Sequence, residues 1–501
     1  MAETDLTDDL PEQVRVRREK YDRLVAAGTP PYPLGYPRTA GLAELRDKHG
    51  ELAIDTSSGE TASVTGRVVL YRTGGKLCFA TLQEGTESGT ATLQVMVSLD
   101  GVGPERLAAW KSDVDLGDHV GITGEVISSR RGELSILASD WQLTSKALRP
   151  LPDKHKGLTD PEARVRQRYL DLLVNPASRD VVRQRAAIIR SLRDTLDRRA
   201  YVEVETPVLQ VVHGGAAARP FATHVNALDL DVTLRIATEL FLKRLVVGGI
   251  DKVYEIGKTF RNEGIDATHF PEFTELEAYE AYGDYDTMAE LTRTLVLDAA
   301  RAVGRTVVPD GRGGEIDLEA EWREATVHGL VSEAVGEQVD PDTSLERLVQ
   351  LGERHEVALQ PKWDEGEIVL ELYEKLVEHT LLQPTFVRDY PVSVRPLARP
   401  HRDDPRLAEA WDLIIAGVEL APAYSELVDP VEQRRRLTEQ SLKAAGGDAE
   451  AMQLDEDFLR ALEHGAPPMG GMGMGVDRLV MLLTGLPIRE TILFPLTRPL
   501  P

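Results

Sequence analysis

The stretch that decides the fold runs from Lys252 to Tyr279, KVYEIGKTFRNEGIDATHFPEFTELEAY. It reads as a strand, a polar loop and a return strand. Side chains alternate across a strand, so from Val253 onward one face carries Glu255, Gly257, Thr259 and Arg261. The same rule places Phe273, Glu275, Glu277 and Tyr279 together on the return strand. Arg261-Asn262-Glu263-Gly264 makes the turn between them, and His269 and Phe270 stand just before Pro271. An ordinary hairpin buries apolar residues on one face, and burying charge is costly unless something charged binds there. Two readings follow: a solvated strand face, or one wall of a site for a charged ligand.

A chain of 501 residues has room for two or three domains and a large core. With 42% hydrophobic and 28% charged residues it has the composition of a globular protein rather than a disordered one. The single cysteine, Cys78, excludes an internal disulfide framework and a cysteine-rich zinc site, and fits a reducing cytoplasm. No apolar run approaches the roughly 18 residues of a membrane span. The opening MAETDLTDDLPEQ is acidic, unlike a basic signal leader. The net charge of −25 argues against diffuse, charge-driven binding to nucleic acid or anionic membrane. A nucleic-acid partner would need a locally basic, shaped patch.

Along the chain, Pro11 to Ala27 predicts an exposed basic helix, followed by the Pro- and Gly-rich linker TPPYPLGYPRT; residues 1–60 form a helical and linker extension. Over 61–147 the pattern turns to short β runs, with one helical piece, PERLAAWKSDV, between the third and fourth. This suits a Greek-key barrel of the OB type, which commonly binds single-stranded nucleic acid or oligosaccharide. Arg67, Arg72, Lys76 and Phe79 supply positive charge and a stacking ring, unless Phe79 simply fills the barrel. Residues 148–165 form a polar, Pro-rich linker to a second domain over 166–501. That domain opens with a long helix from about Val165 to Arg199 and the segment YVEVETPVLQ. A strand and an amphipathic helix beginning near Thr238-Glu239 follow, and later an insertion over about 305–374 in which no chemistry is evident.

Four constellations carry chemistry. Asp412 and Glu419 flank the apolar run Leu413-Ile414-Ile415, which suits a buried strand. Buried carboxylates without a basic residue nearby in sequence suggest Mg2+, which takes one or two carboxylates together with substrate phosphates. The alternative is an ion pair with a distant arginine. GGMGMGVDR, from Gly470 to Arg478, passes from a glycine strand into a helix whose N-terminus favours anions beside Arg478. No ribose-binding acid or βαβ unit follows, so it is not a dinucleotide fingerprint. GGAAARP, from Gly214 to Pro220, is a small-residue loop fit to wall a compact substrate. Glu239, Glu277, Tyr279 and Glu426 are acids and a phenol in apolar settings, which together make a cage for a ligand with two ammonium groups.

VEVETPVLQ, FRNEG followed by HFPEF, and GMGMGVDRLVMLLTG with RETILFP resemble motifs one, two and three of the class II aminoacyl-tRNA synthetases. Within that class, GGAAARPFATHVNALDLDVTLRIATELFLKRLVVGG, FRNEGIDATHFPEFTELEAYEAYGDY and YSELVDP are similar to the lysyl-tRNA synthetases. The resemblance implies an α+β chain: an N-terminal OB-fold barrel that binds the anticodon, then a class II catalytic domain with an antiparallel sheet flanked by helices. It implies ATP-dependent activation of lysine to lysyl-adenylate, transfer to the 3′ end of tRNA(Lys), Mg2+, and a homodimer joined through motif one.

The resemblance also implies residue roles. Arg261 holds the substrate carboxylate and α-phosphate, Glu263 and His269 contact ATP, and Arg478 binds the γ-phosphate. Asp412 and Glu419 coordinate Mg2+. The Gly215 carbonyl and Glu239 meet the α-ammonium of lysine, Glu277, Glu426 and Tyr279 the ε-ammonium, and Tyr424 packs on the alkyl chain. Phe79 stacks on an anticodon base, with Arg67 and Arg72 beside it. Four positions depart from the family pattern. Pro422 replaces an Asn and has no donor for the substrate carboxylate. Phe270, counted with the ATP-binding residues, replaces a small polar residue beside the adenine region, where it would stack on the ring or obstruct it. Glu275 replaces an apolar residue, and Lys258, in place of an Arg, is placed to neutralise it. Three alternatives to lysylation of tRNA remain: a sibling synthetase for aspartate or asparagine, a ligase with a non-standard acceptor, and an inactive tRNA-binding regulator.

Overall fold

The computed structural model describes residues 11–87, 89–152, 157–445 and 452–499. They fall into two compact units that divide between Asp180 and Val181.

In the first unit, Ser57–Arg72, Leu77–Thr86, Gly89–Ser98, His119–Ser128 and Leu134–Ser145 close into a five-stranded barrel. The helix Leu99–Asp113 lies between the third and fourth strands, as the run of elements predicts. Alternate positions fill the interior: Val64, Val68, Leu82, Val95, Ile122 and Ile136 are fully buried. Phe79 lies between buried Cys78 and Ala80 and is only half-buried, so it faces away from the barrel core. A register shift between Val68 and Leu70 re-aims the first strand, and exposed Arg72 then pairs directly with Phe79. Arg67 is half-buried and donates to the Gly117 carbonyl at 2.9 Å. The helix Glu12–Ala26 is less exposed than its composition suggests. It buries Val14, Arg17 and Leu24, and Arg17 donates to the carbonyls of Leu116 and Ala147.

The single long helix expected from Val165 to Arg199 is instead three pieces, Pro161–Arg166, Arg168–Val174 and Pro176–Arg198. Pro176 has no N–H to continue a helix and begins a new one.

The second unit is built on an eight-stranded sheet. Its order is Arg323–Thr326, Thr385–Pro391, Leu407–Ile415, Val418–Ser425, Met469–Gly475, Glu272–Ala281, Lys252–Phe260 and Val202–Glu203. The six central strands are antiparallel, as expected, and the outermost pair at each edge is parallel. One edge strand comes from within 305–374, so that segment contributes to the sheet.

The hairpin pairs Val253 with Tyr279, Glu255 with Glu277, Gly257 with Glu275 and Thr259 with Phe273. The facial alignment read from alternation therefore holds. The connection is a loop from Phe260 to Glu272 rather than a tight turn. Lys258 pairs with Thr274 on the opposite face and sits 3.7 Å from Glu272, so it does not neutralise Glu275. Leu276, Ala278, Met472 and Met474 share a core with residues of Pro176–Arg198 and Tyr285–Ala302. Their odd-numbered neighbours, Glu275, Glu277, Tyr279, Gly471 and Gly473, line a cavity.

Candidate active site

The cavity has a volume of about 260 Å³ and runs across the sheet from an acidic end to an arginine end. At the acidic end, Glu239, Glu277, Tyr279 and Glu426 are each 5% exposed or less. Three elements place them: the first turn of the helix Glu239–Val247, the hairpin's return strand, and the end of Val418–Ser425. Glu277 accepts from the Thr238 N–H at 2.7 Å and from the Tyr279 hydroxyl at 3.0 Å. Gly471 pairs with Tyr279 on one side and Tyr424 on the other, and a Cβ there would collide with Glu426 Oε1 and the Tyr279 ring. Gly215, at φ +87°, closes the wall, packed against Ala237 and Glu239.

A residue that sequence reasoning missed completes this end. Lys243, 1% exposed, pairs with Glu239 at 2.6 Å and with Glu426. It also lies 5.9 Å from the centre of the Tyr279 ring. The signal was present, since Glu239 and Lys243 are four apart on one short helix. Burial works against the Lys243 charge, but Glu239 and Glu426 outweigh it and keep the ammonium protonated. The carboxylates respond oppositely. Burial, then the charges of Glu275 and Glu239, push Glu277 well above the usual range. Burial lifts Glu426 to about 8 against the pull of Lys243. Burial likewise raises Glu239, with Lys243 opposing.

Glu255 belongs to the same strand face but not to the cavity. Arg235 pairs with it at 2.5 Å, and Thr206 donates to it from both N–H and hydroxyl. Arg235 also fills the space above Gly257. The first strand thus answers to neither reading of its charged face, because Glu255 is buried and paired rather than solvated, while the second strand lines the open cavity.

At the other end stand Arg261, Arg395, Asp412 and Glu419. Arg261 donates to the Ile236 carbonyl at 3.3 Å and lies over the Phe273 ring. Asp412 is 6% exposed; its Oδ2 accepts from Arg395 at 2.5 Å, while Oδ1 has no partner. The distant arginine considered as an alternative is therefore present, yet it occupies only one carboxylate oxygen. Glu419 is not buried as expected: its side chain is 40% exposed. Arg478 donates to the Glu419 carbonyl at 2.7 Å and reaches His269 Nε2 at 3.1 Å. Arginine can only donate, so Nε2 accepts and the His269 Nδ1–H faces Asp266, 2.8 Å away. Glu263 is exposed and accepts from the Arg219 N–H, which ties the hairpin loop to the small-residue loop. Phe270 is 6% exposed and is not part of the cavity wall.

Glu426, lifted to about 8 by burial, holds a proton near neutrality that an incoming diammonium ligand must displace. Ionised Glu426 is the form that pairs with an ammonium, so affinity for lysine should rise as pH climbs toward about 8 and fall on acidification. Each displaced proton is worth up to about tenfold in affinity per pH unit. Calorimetry in buffers of different ionisation enthalpy reads these protons; heats that do not depend on the buffer between about pH 6 and 8 would remove the assignment. Gly471→Ala should raise the lysine KM at least about tenfold, by displacing Glu426 and Tyr279, while leaving the KM for ATP in place. An unchanged lysine KM would show that this cage does not bind lysine.

Comparison with known families agrees with this geometry. Residues 160–498 match the family described as tRNA synthetases class II (D, K and N), and residues 62–144 match the OB-fold nucleic acid binding domain. A Kineococcus radiotolerans protein named Lysine--tRNA ligase is 56% identical over 494 residues, 98% of each chain. Proteins of the same name from Mycolicibacterium gilvum and Mycobacterium bovis are 55% and 53% identical. Those alignments cover 99% of this chain and of the first protein, and 100% of this chain and 99% of the second. The chain belongs to the class II tRNA synthetases, on the lysine--tRNA ligase branch.

Proposed function

We propose that the chain activates lysine with ATP to lysyl-adenylate and passes the lysyl group to the 3′ end of tRNA(Lys). The observation that carries this reading is the buried cage of Glu239, Glu277 and Glu426 around Lys243. Three carboxylates against one internal ammonium leave two that can ionise against the two ammonium groups of lysine as their protons are displaced. An aspartate or asparagine side chain would find no positive or amide partner among Glu277, Glu426 and Tyr279.

In the reaction, a lysine carboxylate oxygen bonds to the α-phosphorus of ATP as the bond to pyrophosphate breaks in line. No protein nucleophile is needed, so positioning and charge neutralisation do the work. The α-ammonium is held by the Gly215 carbonyl and Glu239, and the ε-ammonium by Glu277, Glu426 and Tyr279, with Tyr424 along the alkyl chain. Arg261 steadies the carboxylate and α-phosphate, and Arg478 the γ-phosphate; Glu263 and His269 contact the nucleotide. The orphaned Asp412 Oδ1 and the half-exposed Glu419 face the same cavity and suit Mg2+, which needs one or two carboxylates beside substrate phosphates. Bound there, the ion would neutralise phosphate charge.

On the barrel, Phe79 and Arg72 offer a ring and a cation for an anticodon base, with Arg67 nearby. The buried, unpaired Cys78 suits the cytoplasm, and no helix among the described residues is long and apolar enough to cross a membrane. Val202, Val208 and Leu209 within the motif-one segment, and Val211 just after it, are 39–66% exposed, an apolar surface that suits a second copy of the chain.

Amino-acid-dependent ATP–pyrophosphate exchange tests the chemistry. Exchange should occur with lysine; silence with all amino acids despite ATP binding would turn the reading toward an inactive module. Analytical ultracentrifugation should give a dimer, and Val211→Glu should shift it toward monomer; a wild-type monomer would remove the homodimer.

A further inference from the structure

Lys243 is a buried cation that does not itself line the cavity, yet it holds two carboxylates that do. The helix Glu239–Val247 fixes its place. Leu242 and Val246 share a core with Val253, Tyr279 and Met469, and Leu240 shares another with Phe458 and Leu459. Anchored on both sides, the helix sends Lys243 Nζ to Glu239, one turn back, at 2.6 Å, and to Glu426, just past the strand Val418–Ser425. Neither Glu426 oxygen has a hydrogen-bond partner among the described residues, so the Lys243 charge is what compensates it. Arg244, next along the helix, turns away to Asp455 at 2.6 Å and over the Phe241 ring. Across from Lys243 stand the Tyr279 ring at 5.9 Å and, accepting from the Tyr279 hydroxyl, Glu277. Glu275, Tyr424 and the arginine end with Arg261 and Arg395 complete the charged surroundings.

We propose that Lys243 is a positioning residue that sets the spacing between the two ammonium seats of the cage, and so the length of diamino acid the cavity accepts. The assignment rests on the lysine-activation reading above, in which Glu239 receives the α-ammonium and Glu426 the ε-ammonium. One ammonium gripping two carboxylates ties a helix to a strand end, and charge-assisted contacts out of water are strong. Glu426 is thereby held at a fixed reach from Glu239. A chain one methylene short, as in ornithine, leaves its distal ammonium away from Glu426, and the clamped carboxylate does not follow it. Without Lys243 the two carboxylates repel each other when ionised and take up protons instead. The pull of Lys243 opposes the burial that raises Glu426 and Glu239, so its removal raises both further. Glu426 then loses its place and ionises only at higher pH.

The experiment is ATP–pyrophosphate exchange with the full chain, giving kcat/KM for lysine and ornithine and the KM for ATP in the wild type, Lys243→Met and Lys243→Gln. The wild type should prefer lysine to ornithine at least about tenfold. Lys243→Met, close in length but uncharged, should cut that preference at least about fivefold and raise the lysine KM more than the ATP KM. It should also shift the rise of kcat/KM for lysine to higher pH by at least about one unit, because ionised Glu426 is the form that pairs with an ammonium. A lysine with a merely structural role would lower the active fraction and leave both the preference and the pH profile in place. If the methionine variant does not fold, the glutamine variant carries the comparison. A preference that neither substitution moves overturns the proposal, as does a wild type that uses ornithine as well as lysine. Absence of exchange with lysine in the wild type would remove the lysine reading, whereas lysine exchange with an unmoved preference removes only the role of Lys243.

Discussion

Burying several carboxylates on one face of a sheet is the constraint on which the site depends. An uncompensated buried charge costs several kcal/mol, so such a face exists only where each carboxylate is paired or kept protonated. Lys243 meets that need by reaching both Glu239 and Glu426 from one buried position. The Thr238 N–H and Tyr279 hydroxyl do the same for Glu277 with neutral donors. Neither measure is complete, and the raised pKa values of Glu277 and Glu426 express what is left over. A diammonium ligand relieves that residue of unfavourable charge. The electrostatics of the cage would therefore favour such a ligand before shape refines the fit.

Much of this was legible in the sequence because it depends on local period. Alternation put Glu275, Glu277 and Tyr279 on one face before any partner strand was known, and the observed register agrees. The barrel was legible for the same reason: five short runs with one helix in a fixed place leave few arrangements. What escaped was pairing across distance. Glu255 has the same periodicity as Glu277, yet Arg235 claims it, and nothing in the spacing distinguishes a claimed carboxylate from a free one. Arg395 lies 17 residues before Asp412 and reaches it across a loop. Lys243 was the exception, a legible residue passed over because a lysine on a helix ordinarily faces water. Breaks in period also misled: Pro176 divides a helix that hydrophobic spacing alone runs straight through.

Segments without motifs can still shape a site. Residues 305–374 showed no chemistry, yet Arg323–Thr326 extends the sheet, and Trp363 and Glu367 line a second cavity of about 340 Å³. That cavity shares Gly215, Glu239, Tyr424 and Arg395 with the first. Residues of this segment thus form the far wall of a cavity onto which Gly215 and Glu239 also open.

Arg395 decides how much negative charge the arginine end presents. It is half-buried, lies over the Tyr390 ring at 4.0 Å, and holds one oxygen of Asp412. Burial disfavours its charge, but Asp412 outweighs that and keeps the guanidinium protonated. Were both Asp412 oxygens open, the two carboxylates would confront a triphosphate with two full negative charges and rely on bound cations alone to bring them together. With Oδ2 committed to Arg395, Asp412 has only Oδ1 without a hydrogen-bond partner, and Glu419 keeps its exposure to solvent. Arg261 and Arg478 approach the same space from the hairpin loop and the C-terminal helix. The arginine end is therefore preset toward anions before any cation binds, while the acidic end is preset toward ammonium groups. One sheet face holds both presets because Glu275, Glu277 and Tyr279 lie on the same side as Gly471 and Gly473. An amino acid laid along it is oriented, carboxylate to arginine and ammonium to glutamate, by the alternation of the strands themselves.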